Sequence, residues 1–368
     1  MHIVFIMANN SSVPYFNWFA EKASCQNKHR LSFVALYNER PQMIDDVGKY
    51  GWNCYWIKYN PQKRKSNMIT SFFKLYHLFK KIKPDVINSH LFDDSLPSIF
   101  AGRLARIKMR VITKSDTAFH YFYQPRWVFT DRFNNWNATD IITISNECMQ
   151  FVIEKEKAKL SKTTMIHHGI PSKVYNYSNP DDIIYLTNKY QLKDKIVIGT
   201  VARMIEWKGY KYIIEAARLV IQKVPNAIFV FVGEGEQKEE LMKLVMKYQL
   251  NNHIIFTGWL DRKLIPSFYS LLNVYAHAAH YEPFGFVIAE AMMNQTPVVS
   301  TPTGAALDAI VHKQNGYLCN YNDTENLAEG ILYTLNHGVD FKEKAQQTAL
   351  QMYEFDIMYQ KYIKLFEG

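Results

Sequence analysis

The chain has 368 residues, of which 48% are hydrophobic and 21% charged, and its formal charge is +9. At about 100–200 residues per domain this length predicts two domains, and the composition disfavours intrinsic disorder. No apolar run approaches the ~20 residues that span a bilayer, and the four cysteines are scattered, which disfavours a disulfide framework and a zinc site. We therefore expect a soluble, cytosolic protein.

Short β-rich apolar runs alternate with helical patterns along the whole chain, as in the predicted helix 209–223. This alternation predicts a parallel sheet covered on both faces, and it occurs twice, on either side of a polar, turn-rich stretch at 171–188. The predicted strands are 3–8, 31–36, 54–59, 86–89, 111–113, 141–145, 164–167, 196–201, 228–232, 254–258, 274–277, 297–300 and 317–319.

The predicted fold is α/β, with two Rossmann-like, doubly wound domains facing each other. The first covers residues 1–172 and the second residues 173–345. A C-terminal helix at 346–368, rich in Tyr and Phe, is expected to cross back toward the first domain. Ligands of such sheets bind beyond the carboxyl ends of the strands, so the loops after the strands are the candidate sites.

The loop after the strand 196–201 contains two cations, Arg203 and Lys208, followed by Gly209. The glycine allows the chain to turn into the next helix. Two cations at a helix N-terminus suit a diphosphate and require no metal ion. Two solvated loop cations are the alternative interpretation.

A second motif, at 282–291, combines two glutamates with a helix start. Pro283 suits the beginning of a helix, and Gly285 leaves backbone N–H groups open to a ligand. Glu282 stands in the preceding loop and Glu290 within the helix, where its apolar neighbours predict burial and therefore a partner. A carboxylate pair of this kind suits neighbouring sugar hydroxyls.

Together these elements resemble the retaining nucleotide-sugar glycosyltransferases of family 4 (group 1), which have the GT-B fold. The Glu282/Glu290 pair, the loop 203–209, the turn 232–235 and the segment 301–305 occur in that family's order and spacing. The resemblance is strong over residues 165–335 and weaker over the first half.

The resemblance implies roles for these residues toward a nucleotide-sugar donor. Arg203 and Lys208 would hold the diphosphate and stabilise the leaving group. Glu290 would hold the ribose hydroxyls and Glu282 the transferred sugar. Further donor contacts are implied from Pro283, Phe284 and Gly285 at the sugar, from Gly258, Trp259 and Leu260 beside the nucleobase, and from Gly304 near the phosphates.

The first half, where acceptors bind in this fold, departs from the family pattern. Residues 9–12, Asn-Asn-Ser-Ser, replace the usual glycine pair, and Lys114-Ser115-Asp116 stand where a histidine near the reacting sugar is common. The group at that position is Asp116 or His120, or else backbone and substrate groups alone. His90, at a strand end, is either a site residue or a structural hydrogen-bonding residue.

Positive charge is concentrated in this half: residues 1–175 contain 25 Lys and Arg against 13 Asp and Glu, and residues 176–368 contain 18 against 21. The stretch 58–83 has eight Lys and Arg, no acid and interleaved aromatic residues, and 103–114 adds a second basic cluster. This pattern predicts peripheral contact with an anionic membrane rather than nucleic acid. A sheet-covering helix with a solvated basic face is the alternative.

The resemblance implies a hexosyltransferase that requires no metal or other cofactor. It would move a hexose-type sugar from a nucleoside-diphosphate sugar, UDP in preference to GDP, with retention, to a cell-envelope glycan or lipid-linked acceptor at the cytoplasmic face, in lipopolysaccharide or capsule biosynthesis. No D-x-D sequence is present to hold a divalent cation. Two alternatives stay open: a sugar-nucleotide epimerase of the same fold, and a nucleotide-binding, non-catalytic partner of another transferase.

Overall fold

The computed structural model describes residues 1–8, 14–115, 120–121, 124–175 and 178–368. It divides into two compact units: unit 1 comprises Met1–His167 with Met358–Gly368, and unit 2 comprises His168–Ile357. In the part of the chain that is described, no helix is long and apolar enough to cross a membrane. The predicted segment 9–12 and the candidate Asp116 lie outside the described residues.

Unit 1 contains a seven-stranded parallel sheet in the order β3-β2-β1-β4-β5-β6-β7. Ile3 pairs with Leu31 on one side and Val86 on the other, so the strand order reverses between β1 and β4. All six residues of β1 are buried because helices cover both faces. The strands are β1 His2–Met7, β2 Arg30–Tyr37, β3 Asn53–Lys58, β4 Val86–Ser89, β5 Met109–Lys114, β6 Asp140–Thr143 and β7 Thr163–Met165.

The end of the chain completes the core of unit 1. The ring of Tyr359 packs 4.7 Å from that of Phe19, and the hydroxyl of Tyr362 lies 3.4 Å from that of Thr113 on β5. The helices are α1 Pro14–Gln26, α2 Gln42–Gly48, α3 Arg64–Ile82, α4 Phe92–Leu104, α5 Val128–Asn137, α6 Asn146–Glu154 and, at the end of the chain, α15 Phe355–Glu367.

Unit 2 contains a six-stranded parallel sheet in the order β10-β9-β8-β11-β12-β13. Its strand order reverses between β8 and β11, which makes the carboxyl ends of these two strands the expected ligand position. The strands are β8 Ile196–Val201, β9 Ala227–Val232, β10 Ile254–Gly258, β11 Val274–His277, β12 Val298–Ser300 and β13 Tyr317–Leu318.

Two helices of unit 2, Ser172–Tyr175 and Pro180–Lys189, lie where the sequence indicated turns. The stretch 171–188 contains most of Pro180–Lys189, a helix that begins because the side chain of Asn179 accepts a 3.0 Å hydrogen bond from the amide of Asp181 and Pro180 fills the first helical turn. The helices are α7 Ser172–Tyr175, α8 Pro180–Lys189, α9 Tyr210–Lys223, α10 Lys238–Lys247, α11 Ile265–Leu271, α12 Phe286–Met293, α13 Gly304–Ala309 and α14 Thr324–Tyr353.

The predicted fold class is confirmed: both units are doubly wound α/β structures with parallel sheets. All thirteen predicted strands are present, with ends that differ by at most two residues. The helical region at the end of the chain begins at Thr324, well before residue 346, and is interrupted at Glu354, where the backbone is extended.

Candidate functional site

In unit 2, the loops after β8 and β11 meet where the strand order reverses. Lys208 ends a single 3-10 turn, Glu206–Lys208, and Gly209 follows with φ of +71°. A Cβ atom on Gly209 would lie 2.0 Å from the carbonyl oxygen of Ala278, so only glycine permits this approach of the two loops. The conformation places Lys208 directly before helix α9.

Lys208, His277 and Glu282 form a charged cluster at this point. The ammonium of Lys208 makes an ion pair with Oε2 of Glu282, and Nε2 of His277 lies 3.4 Å from the same oxygen. His277 is fully buried at the end of β11, and its Nδ1 lies 3.3 Å from the hydroxyl of Tyr275. The predicted cation and the predicted carboxylate are thus in direct contact.

Two opposing effects set the charge on this cluster. Burial raises the pKa of Glu282, but His277 and Lys208 outweigh it and lower that pKa to about 2. Burial lowers the pKa of His277, against the opposing effect of Glu282. Glu282 is therefore ionised at neutral pH and is paired with Lys208.

Glu290 lies on helix α12 and is buried. Its Oε1 accepts a 2.6 Å hydrogen bond from the hydroxyl of Tyr175, and its Oε2 accepts one of 3.1 Å from the hydroxyl of Tyr269. Burial raises the pKa of Glu290, opposed by both tyrosines and by Arg262. The expectation that Glu290 is buried and partnered is confirmed; its role toward a ribose stays a prediction.

Two glycines hold the motif 282–285 in place. Gly285 has φ of +88° and precedes helix α12, and a Cβ atom on Gly304 would lie 2.3 Å from the carbonyl oxygen of Phe284. Pro283 was expected at the helix start, but the helix begins at Phe286 because Gly285 is the residue at which the chain turns. Gly304 therefore packs directly against the backbone of this loop.

The other predicted donor residues of unit 2 lie at the ends of strands of the same sheet or in the loops that follow them. Arg203 is exposed and makes no ion pair with any described residue. Gly258, with φ of +71°, ends the edge strand β10, and Trp259 beside it is 69% exposed. The structure places residues 258–260 two strands from β8, at the same carboxyl edge of the sheet.

Unit 1 has a cavity of about 220 Å³ at the carboxyl ends of its central strands. Lys114 and His120 line it, and both contact Asp131: the ammonium at 3.2 Å and Nδ1 of the imidazole at 2.8 Å. Lys114 also pairs with Glu156 at 2.6 Å. This buried cluster contains two residues that the sequence singled out and two acids that it did not.

His90 lines the same cavity and is buried. Its backbone N–H donates a 3.0 Å hydrogen bond to Asp94, and its ring packs 4.9 Å from that of Phe16. The Asp94 carboxylate also accepts hydrogen bonds from the amides of Ala8 and Leu91. Asp94 therefore joins the ends of β1 and β4. The sequence feature that could have indicated this residue is the pair of adjacent acids, 93–94, shortly after a strand.

Two family models match the chain, one in each half. Glycosyltransferase Family 4 matches residues 25–173, and Glycosyl transferases group 1 matches residues 185–352. The chain is a glycosyltransferase, with a family 4 match in its first half and a group 1 match in its second. In this glycosyltransferase the group 1 match includes the charged cluster of Lys208, His277 and Glu282, and also Glu290.

Two relatives of this glycosyltransferase carry names that state a biosynthetic role or a reaction. The capsular polysaccharide biosynthesis glycosyltransferase CapM of Staphylococcus aureus is 25% identical over 330 residues, which cover 84% of this chain and 86% of CapM. The UDP-Gal:alpha-D-GlcNAc-diphosphoundecaprenol alpha-1,3-galactosyltransferase of Escherichia coli is 24% identical over 282 residues, 71% of this chain and 69% of that enzyme.

The fold matches solved glycosyltransferase structures. Anabaena HepE, crystallised in complex with UDP, superposes with a TM-score of 0.85 over 100% of both chains at 19% identity. Staphylococcus aureus TarM superposes with a TM-score of 0.72 at 13% identity, over 100% of this chain and 99% of TarM. The fold is therefore GT-B, with two parallel-sheet α/β domains.

Proposed function

We propose that this glycosyltransferase moves a hexose-type sugar from a UDP-sugar, with retention and without a metal ion, to a lipid-linked or glycan acceptor of the cell envelope, at the cytoplasmic face of a membrane. The observation that carries the proposal is the contact of Lys208 with Glu282 where the strand order of unit 2 reverses. Ligands of doubly wound sheets bind at this position.

The charge at this position favours an anionic donor. Lys208 comes directly before Gly209, the N-cap of helix α9, whose first backbone N–H groups and dipole also attract anions. Arg203, in the same loop, adds a second cation. Metal independence is part of the proposal because these groups supply positive charge where the diphosphate would lie.

Glu282 fits the role of a sugar-binding group that is held ready by Lys208. In the structure the ammonium of Lys208 pairs with this carboxylate and neutralises it. When a diphosphate binds, its oxygens would replace Glu282 as the ion-pair partner of the Lys208 ammonium. The Glu282 carboxylate would then accept hydrogen bonds from sugar hydroxyls. As the bond to the leaving phosphate breaks, Lys208 would stabilise the charge that develops there.

The choice of UDP and of an envelope acceptor is supported by the named relatives. HepE is described in complex with UDP and with UDP-glucose, and the Escherichia coli relative is named for a UDP-Gal donor and a diphosphoundecaprenol-linked acceptor. CapM is named for capsular polysaccharide biosynthesis. The cavity of unit 1 is the proposed acceptor position, and retention is carried over from the family resemblance.

A transfer assay tests this proposal. Purified enzyme is incubated with UDP-glucose, UDP-galactose or UDP-N-acetylglucosamine, with and without a bacterial lipid extract, in the presence of EDTA. We expect UDP release that depends on the extract and a glycolipid whose anomeric configuration, by NMR, matches that of the donor. Conversion of the donor without acceptor would instead indicate an epimerase, and nucleotide binding without turnover a non-catalytic partner; either result would overturn the proposal.

A further inference from the structure

Five aromatic rings form a continuous row across three neighbouring helices of unit 1. Phe73 and Phe72 on α3 are followed by Phe100 on α4 and by Phe133 and Trp136 on α5. Successive ring centroids lie 5.0, 5.9, 5.8 and 6.3 Å apart. Each helix thus contributes to one surface, which is not visible in any single stretch of sequence.

This row is open to solvent. Trp136 is 63% exposed and Phe73 55% exposed. Ile69, Leu104 and Phe129, each four residues from a member of the row on its own helix, are more than half exposed and share its face. Single exposed apolar residues are ordinary, but a contiguous group of this kind marks an interaction surface.

The exposed charges on the three helices of the row have one sign. The exposed charged side chains of α3, α4 and α5 are all cationic, whereas the three acids of these helices are withdrawn: Asp94 is fully buried, Asp93 pairs with Arg64, and Asp131 lies in the buried cluster with Lys114. The exposed cations are Lys65, Lys74, Lys80, Lys81, Arg103 and Arg132.

The combination of exposed aromatic rings and cations without acids fits an anionic lipid bilayer. Aromatic rings are favoured at the level of the headgroups, and each nearby cation contributes through the negative surface potential. Two copies of the chain docked through this face would bring like charges together, which disfavours self-association.

The helices that form this surface also border the unit 1 cavity. The guanidinium of Arg64, at the start of α3, lies 5.0 Å from the ring centroid of Phe92 and 5.3 Å from that of Trp127. Phe92 begins α4 and lines the cavity. Val128, which begins α5 next to Phe129, lines it too. A bilayer against these helices would therefore lie near the cavity proposed for the acceptor.

We propose that the aromatic–basic face, formed by Ile69, Phe73, Phe100, Leu104, Phe129 and Trp136 with their surrounding cations, docks unit 1 on a bilayer that contains anionic lipid. This inference rests on the proposed function, because a lipid-linked acceptor lies in the membrane and the enzyme must bind there to reach it. It goes further in naming three helices, where the sequence indicated only the basic stretches 58–83 and 103–114.

Vesicle co-sedimentation tests the apolar part of this face. The full-length protein is mixed with vesicles of equal parts phosphatidylcholine and phosphatidylglycerol, and the double variant Phe73→Ser/Trp136→Ser is compared with Val339→Ser, a control at an exposed apolar position of unit 2. We expect roughly tenfold or greater weakening in the double variant and none in the control, because only the former loses interfacial side chains. Equal binding by all three proteins overturns the proposal.

The cationic part is tested with Lys65→Glu/Lys74→Glu against Lys342→Glu/Lys344→Glu on α14, whose lysines are also exposed. We expect at least about thirtyfold weaker vesicle binding for the first pair only, and weak binding of the wild type to phosphatidylcholine alone. Equal binding to both vesicle types, or a change of oligomeric state with unchanged vesicle binding, overturns the proposal.

Calorimetric titration of UDP separates this inference from the proposed function. The docking variants leave the unit 2 site intact and are expected to bind UDP as the wild type does. Absence of UDP binding in the wild type would count against the proposed function, whereas UDP-dependent transfer combined with unchanged vesicle binding in the variants would count against docking alone.

Discussion

Lys208 and Glu282 form an ion pair that joins the loop after β8 to the loop after β11. The two residues are 74 positions apart in sequence and meet because their strands are neighbours at the reversal of strand order. His277 approaches the same carboxylate oxygen from the end of β11. One cation, one carboxylate and one buried imidazole therefore share the position at which a doubly wound sheet binds its ligand.

Replacing the cation should abolish most of the transfer activity while leaving the fold intact. Lys208→Ala removes the positive charge proposed to stabilise the leaving phosphate, and loss of such a group lowers kcat by about 10²–10³-fold. The matched control is Lys211→Ala, an exposed lysine three residues further along the same helix region. Normal turnover in purified Lys208→Ala, with an unchanged circular dichroism spectrum, would contradict the role of Lys208.

The interactions of Glu282 should make the free energy of unfolding depend on pH in the acidic range. The pKa of Glu282 is lowered from its ordinary value of 4.5 to about 2, so its contribution to the free energy of unfolding is fully present above pH 4.5 and is lost as the pH falls through about 2. The shift corresponds to about 3 kcal/mol. In urea unfolding, the difference between wild type and Glu282→Gln should be largest near pH 6 and shrink toward pH 3; a pH-independent difference would refute this.

The buried cluster of unit 1 should depend on its single lysine. Lys114 pairs with Asp131 and Glu156, so Lys114→Met leaves Glu156 without its cation and Asp131 with His120 alone from this cluster. The substitution should lower the free energy of unfolding by about 3–5 kcal/mol. Adding Asp131→Asn and Glu156→Gln removes the uncompensated charge and should recover much of the loss. Chemical denaturation of the three proteins measures this, and a single variant as stable as the wild type would argue against the cluster.

Gly209 should tolerate no side chain, because it combines a positive φ with a close backbone contact. A glycine that has a positive φ but free space around it should be less sensitive. Gly209→Ala would place its Cβ 2.0 Å from the carbonyl of Ala278, while Gly51, with φ of +83°, has open space around the same position. We expect Gly51→Ala to cost about 1 kcal/mol in the free energy of unfolding and Gly209→Ala to cost more and to weaken nucleotide binding. Equal effects of the two substitutions would show that the close approach of the loops is unimportant.

The sequence predicted the strands because their signals are local. Runs of Val, Ile and Phe bounded by turn residues mark each strand, and parallel strands buried on both faces read as continuous apolar runs. The helix 180–189 was missed because its apolar stripe is short, although Asn179-Pro180 carried a local start signal.

The partners of the site residues could not be predicted because they are distant in sequence. The burial of Glu290 follows from its neighbours, but Tyr175 lies 115 positions away and no spacing rule connects the two. In the same way, the pairing of Lys114 with Glu156 depends on the packing of separate elements. The aromatic row across α3, α4 and α5 likewise exists only once the three helices are packed side by side.

The central claim is that unit 2 binds the nucleotide of a UDP-sugar donor. The most direct measurement is calorimetric titration of UDP, GDP, ADP and CMP into the wild type and Glu290→Ala without added metal, with the exposed Tyr185→Ala as control. The account predicts that the wild type and the control bind UDP in preference to the other nucleotides and that Glu290→Ala loses at least about tenfold in affinity. No binding of any nucleotide by the wild type, or equal UDP affinity in Glu290→Ala, would contradict it.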